Sequence, residues 1–222
     1  MSTAGAQAAV AASRRAAILE AMIRVAGRKG YTAVSVGDAI AEAHASRSTF
    51  YKHFDDKRDC FVAAYDLATE RVLGAIAATC AVDRPWLERV RTALVSLVEL
   101  FVADPELART VVVEAAAAGA ETRRRQGEAI DTLAQWLEEG RDRGCEELPP
   151  HTGQMAVSAV NGLLFEEIEA GRADVLRRRV PELLFTLLVP FLGPAEAIEE
   201  MRRAQDRLRA SRIAAASPDS AT

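Results

Sequence analysis

An all-α fold is the class this sequence predicts, and three observations lead to it. Apolar residues recur three and four positions apart almost throughout, a period of two is nearly absent, and most prolines and glycines fall between the periodic stretches. The chain has 222 residues, half of them hydrophobic, which suffices for one sizeable core or for a small head joined to a larger body.

The elements follow in order. "MSTAGAQAAVAASRR" places its arginines behind a run of small residues, the reverse of a secretory leader, and residues 1–12 read as a disordered arm. A first helix is expected from about Arg14 to Arg28, with Ile18, Ala21, Met22 and Val25 on one face and Gly30 in the C-cap role. Ser35, followed by Asp38, has the spacing of an N-cap for a short second helix through about Ala43. Ser46 caps a third helix, Arg47 to Phe54, and "DDK" at 55–57 opens a long fourth, its aspartates suited to the positive end of the helix dipole. "DRP" at 83–85 starts a fifth helix through Phe101, and "DPE" at 104–106 starts a sixth that Gly119 closes. A seventh helix runs to about Gly144, "CEELPPHTG" is a loop, and an eighth helix spans roughly Gln154 to Ala170. In the ninth, Pro181 either kinks the helix or marks its true start. "PAEAIEEMRRAQDRLRASRI" reads as helical and mostly solvated, with a thin stripe of Ile198, Met201 and Leu208, and residues 213–222 read as a disordered tail.

Charge is unevenly placed. Residues 1–60 carry nine Lys or Arg against six Asp or Glu, while the remainder is acidic, so a formal charge of −4 conceals a mildly basic head on an acidic body. Three cysteines, Cys60, Cys80 and Cys145, form no CxxC and point to a reducing cytoplasm; only Cys145, in its loop, looks accessible enough for a redox role. The strongest apolar run, residues 183–193, is short for a bilayer and contains a proline, which makes it a better protein interface than a membrane span. Catalysis finds no support: there is no GxSxG, Gly-rich phosphate loop or HExxH, and His44, His53 and His151 offer no metal-ligand spacing. No cofactor is expected.

"ASRSTFYKHF" at 45–54 packs three hydroxyls, three cationic or titratable bases and three rings into ten residues of a chain poor in aromatics. At 100° per residue, Phe50 and Phe54 share one side, where they can anchor to the first helix and Ile40, while Ser48, Thr49 and Lys52 point away. Arg47 and Tyr51 flank one edge and His53 the other. Two short helices joined by a tight turn, the second presenting hydroxyls and bases, form a helix-turn-helix, whose second helix enters the DNA major groove.

At this point the chain resembles the TetR family of transcriptional regulators. "RRAAILEAMIRVAGRKGYTAVSV" is similar to that family's first helix and its link to the second, and "STFYKHFDDKRDCFVAAY" to its recognition helix running into helix four. The resemblance covers about a quarter of the chain. It implies a DNA-binding domain over 13–57 and an effector-binding and dimerisation domain over 58–212. Thr49, Tyr51, His53 and Lys57 are implied DNA contacts, the last three mainly on phosphates, and Arg47 and Ser48 occupy base-reading positions; Ser35 and Lys52 are counted with them. The sequence departs from the family pattern in two places: His44 stands where the turn usually has glycine, a position that often needs positive φ, and Gly37 replaces a polar side chain on helix two.

The resemblance also implies a homodimer on a palindromic operator, paired through helices eight and nine. Val157, Val160, Leu164, Ile168, Leu184, Leu187, Leu188 and Phe191 supply apolar faces that serve that interface, the core of one chain, or both. A small-molecule effector between helices four and eight is implied, with Tyr65, Trp86, Phe101, Glu114, Asn161 and Phe165 as candidates; Glu114 would need a cationic ligand or a neighbour such as Arg109. The expected output is repression relieved by the effector. A cysteine-based redox regulator and a helical dimer without DNA binding are the alternatives.

Overall fold

The computed structural model describes residues 3–79, 83–143 and 148–216, and among these every regular element is helical. Cys80 and Cys145, with the redox role considered for the latter, lie outside the described residues, as do residues 217–222 of the expected tail. The chain divides into two compact units, Met1–Gly74 with Ala103–Ala129, and Ala75–Val102 with Ile130–Thr222.

The first unit contains α1 (Thr3–Lys29), a 3-10 turn (Tyr31–Ala33), α2 (Val36–Glu42), α3 (Arg47–Tyr51), most of α4 (Lys57–Thr79), α6 (Pro105–Val112), α7 (Glu114–Ala117) and the start of α8 (Ala120–Glu138). α1 begins at Thr3, so residues 3–12 of the expected arm are helical. Ile18, Ala21, Met22 and Val25 are buried as the pattern indicates, but Leu19, Ile23 and Ala26 are buried too, because α1 is packed on more than one side. α6 lies against it closely: a Cβ on Gly27 would come within 2.4 Å of the Glu106 carbonyl oxygen, so only glycine permits the approach. The Thr110 hydroxyl donates to the Ile23 carbonyl at 3.0 Å and ties the two helices together. The expected sixth helix is two short ones, α6 and α7, divided at Val113.

The second unit holds α5 (Trp86–Ala103), the ends of α4 and α8, α9 (Thr152–Glu169) and α10 (Leu176–Ala216), which packs on α9. α10 passes through Pro181 and Pro190 with helical backbone and breaks at Gly193, where φ is 75° and ψ 167°. Pro181 is therefore neither kink nor start: the discontinuity falls at the residue without a Cβ. Beyond it the helix is better packed than a solvated arm. Ala197, Glu200 and Ala204 are buried, whereas Ile198, Met201 and Leu208 are half-exposed. The buried Glu200 carboxylate holds this arm to α5 through Arg91 and accepts a second ion pair from Arg203.

By length and composition, Ala173–Ala210 could cross a membrane. Leu183, Leu184, Leu188 and Phe191 are nonetheless buried inside the second unit.

Candidate nucleic-acid interface and effector cavity

α2 and α3 are set by their caps. The Ser35 hydroxyl accepts from the Asp38 N–H at 3.2 Å and the Asp38 carboxylate accepts from the Ser35 N–H at 2.8 Å, a complete capping box. Asp38 also receives Lys29, and Glu42 receives Arg24 and Arg28, so three cations of α1 are spent on fastening α2. The Lys29 ammonium, followed by Ser35, holds the Asp38 carboxyl well below the usual carboxylate range, and the two arginines lower that of Glu42.

The turn between α2 and α3 is closed by a pair of hydrogen bonds, Ala45 N–H to the Ile40 carbonyl at 3.0 Å and His44 N–H to the Ala41 carbonyl at 3.2 Å. This is a Schellman closure with His44 in its left-handed position, at φ 49°. The positive φ that the missing glycine would have supplied is present, carried by a histidine.

α3 is shorter than expected. The α-helix ends at Tyr51, although the Phe54 N–H still reaches the Phe50 carbonyl at 3.0 Å, so the last residues continue as a turn. Phe50 and Phe54 are buried with ring centroids 5.5 Å apart, and the Arg15 guanidinium sits 5.4 Å over the Phe54 ring. These anchors leave Arg47, Ser48, Tyr51 and Lys52 exposed together. Thr49 is half-buried, its hydroxyl 2.9 Å from that of Ser46, the N-cap; His53 is half-buried as well. Ser35 is exposed but its hydroxyl is engaged in the capping box. Lys57 is committed internally: its ammonium donates to the Tyr31 carbonyl at 3.0 Å and lies 4.3 Å from the Tyr31 ring centroid. Eight candidates thus divide into four exposed on α3 and its C-cap, Lys52, and four with local structural duties or partial burial.

Glu114 is a structural residue of the same unit. Its carboxylate accepts from the Tyr31 N–H at 2.7 Å and pairs with Arg109 Nε at 3.0 Å, so the arginine, not a ligand, is its partner. The Tyr65 hydroxyl likewise donates to the Val111 carbonyl at 3.3 Å within a buried site, and burial pushes its pKa up to about 12.

The second unit contains a cavity of about 650 Å³. Its walls come from α5 (Trp86, Val90, Ala93, Leu94, Leu97), the end of α4 (Ile76, Ala77), α8 (Leu133, Trp136, Leu137), α9 (Val157, Val160) and Leu187 of α10. Two charged residues share the lining, Arg89 and Glu139, and they form an ion pair. Trp86 is held in place: its indole N–H donates to the Leu137 carbonyl at 3.2 Å, and its ring packs on Phe191 at 5.7 Å. Of the six ligand candidates only Trp86 lines this cavity; Phe101 is core, and Asn161 and Phe165 are half-buried on α9 outside it. Arg89, Trp136 and Glu139 were not anticipated. The spacing Trp86, Arg89, Val90, Ala93, Leu94, Leu97 is a single helical face and was visible in the sequence, but concavity was not.

The apolar residues expected to serve an interface, a core or both do fill the core of the single chain. Val157, Val160, Leu164, Ile168, Leu184, Leu187, Leu188 and Phe191 are all buried within the one chain. The outward side of α9 carries a different set, with Met155 57% and Leu163 42% exposed and Ser158, Ala159 and Gly162 between them. Cys60 is buried and free, and burial pushes its thiol up to about 12, the setting of a structural cysteine with little thiolate at neutral pH.

A capped helix, a left-handed tight turn and a second helix seated by two rings with its polar back exposed define the helix-turn-helix class of DNA-binding heads. Residues 18–64 match the family model described as bacterial regulatory proteins, tetR family, and the chain has the fold of a TetR-family transcriptional regulator. Among solved structures it is similar to the fatty acid degradation regulator FadR from Bacillus halodurans, with 18% identity over 82% of this chain and 96% of that one and a TM-score of 0.67. It is also similar to TylP, a TetR regulator from Streptomyces fradiae (19% identity, 89% and 98% covered, TM-score 0.65). A TetR family transcription regulator from Marinobacter aquaeolei VT8 shares 22% identity over 87% of this chain and 94% of its own, with a TM-score of 0.60. No curated protein matches the chain.

Proposed function

We propose that this protein is a cytoplasmic, homodimeric, ligand-responsive transcriptional regulator, a repressor released from a palindromic operator when a small molecule enters the cavity of its second unit. The observation that carries the reading is the seating of α3 and the turn that follows it: Phe50 and Phe54 inward, Arg47, Ser48, Tyr51 and Lys52 outward. Cationic and hydroxyl side chains on one exposed helical face meet phosphates and base edges, and a head this small needs a two-fold partner to read enough base pairs.

The outward face of α9, with Met155 and Leu163 flanking small residues, supports pairing by close helix approach. α4 contributes to both halves of the proposed switch: Lys57 at its start latches the turn before α2, and Ile76 and Ala77 near its end line the cavity. A ligand that prefers one setting of α4 shifts the dimer away from the operator-binding spacing, by no more than its own differential affinity. A structural neighbour described as a gamma-butyrolactone receptor supports a regulator with a small-molecule effector.

Fluorescence anisotropy on DNA flanking the protein's own gene tests the reading. Saturable binding to one palindromic segment, weakened as salt rises and lost in Lys52→Ala combined with Arg47→Ala, is expected. Binding absent at low salt, or unaffected by those substitutions, refutes it.

A further inference from the structure

We propose that the cavity takes a hydrophobic carboxylic acid whose carboxylate displaces Glu139 from Arg89. This rests on the cavity being the effector site and adds the chemistry of its occupant. Apart from the Arg89–Glu139 pair, the walls are aliphatic or indole, and the Trp86 indole N–H is already engaged with Leu137, so the bulk of the ligand must be apolar. A volume of about 650 Å³ accommodates a molecule of ordinary drug or medium-chain lipid size. Trp136 lines the cavity while 37% exposed, which places it at the mouth.

The sign of the head group follows from unequal burial. The Arg89 side chain is 22% exposed and that of Glu139 is 48% exposed. A ligand carboxylate that takes Arg89 releases Glu139, which is half in water already and rehydrates readily; the guanidinium, more deeply set, keeps an anion and can hold it with two parallel hydrogen bonds. A ligand cation would do the opposite. It would draw Glu139 away from the more deeply set of the two charges, the more expensive exchange. A neutral head would leave the pair closed and gain nothing from it. An amine is the demanding competitor, because Glu139 stands at the carboxyl end of α8 and both offer it negative charge.

The chain's two tryptophans both line the cavity, so intrinsic fluorescence reports occupancy without a label. The full-length protein is titrated with octanoate, decanoate and dodecanoate and with the alcohols and primary amines of the same chain lengths. Saturable quenching is expected with the acids, about tenfold or more tighter than the matched alcohols and amines. Arg89→Gln is expected to erase that preference while leaving alcohol binding within about threefold, and Glu139→Gln to tighten the acids several-fold by removing the carboxylate that competes for Arg89. Amines equal to or tighter than acids, no saturable quenching by any compound, or an acid preference that survives Arg89→Gln overturns the proposal. The same compounds are then added to the protein–operator complex. Quenching without DNA release rejects the effector reading and leaves the ligand class standing, so the two failures are separable.

Discussion

Replacing Glu114 by alanine tests whether this carboxylate belongs to the fold or to a ligand. Its side chain is 5% exposed and accepts the Tyr31 N–H at 2.7 Å. Truncation strands that N–H, at a cost of about 1–3 kcal/mol for an unsatisfied buried donor. Arg109 is 30% exposed and can rehydrate, so the lost ion pair adds under about 1 kcal/mol. Relief from burying a charge offsets part of the total, and a net loss of about 1–3 kcal/mol remains. With a urea slope of roughly 2–3 kcal/mol per molar, the unfolding midpoint at fixed protein concentration falls by about 0.5–1 M. Glu114→Gln keeps an acceptor for Tyr31 and is expected to lose less than half as much. Equal midpoints for the alanine and glutamine variants would show that the acceptor argument is wrong, and unchanged stability with impaired ligand binding would show that Glu114 serves a ligand.

Three further outcomes follow from the structure. His44→Gly removes the left-handed strain at φ 49° and is expected to raise stability by about 0.5–1 kcal/mol, read as a melting-temperature increase of a few degrees, with operator affinity retained. Phe50→Ala empties a fully buried ring site at a typical cost of about 3–5 kcal/mol. α3 has only five residues to resist it, so DNA binding should be lost while tryptophan quenching by cavity ligands persists. The Cys60 thiol, pushed up to about 12 by burial, lies above the unfolded value near 8.5. The protonated form is thus favoured by folding, and its stabilising effect is complete below about pH 8.5 and lost as pH rises toward 12. At pH 8 Cys60 should resist iodoacetamide in the native protein and react in urea; rapid native labelling contradicts the burial.

Local rules made much of the head legible. The Ser35–Asp38 spacing declared its capping box, and the four-residue interval between Phe50 and Phe54 declared the anchored face. His44 was readable as a turn residue under positive φ because the surrounding pattern demanded one. What failed were pairings between residues distant in the chain. Nothing near Glu114 announces that its acceptor role lies with Tyr31, 83 positions earlier, and nothing near Lys57 announces the Tyr31 carbonyl. Apolar periodicity marked Val157 and Leu187 as inward-facing, yet it could not separate a core from a subunit interface, since both remove the same atoms from water. The cavity was least accessible of all. A void is defined by the atoms that are missing between α5, α8 and α9, and its selectivity by one ion pair formed between residues 50 apart.

The account turns on whether the exposed back of α3 reads duplex DNA. Anisotropy on a labelled duplex drawn from the DNA beside the protein's gene, repeated at several salt concentrations with wild type and with Arg47→Ala and Lys52→Ala, addresses that directly. The expected result is a linear fall of log affinity with log salt, a shallower slope for Lys52→Ala, and relaxed sequence preference for Arg47→Ala. A salt-independent signal, or both variants binding like wild type, contradicts the assignment of α3 as the recognition helix.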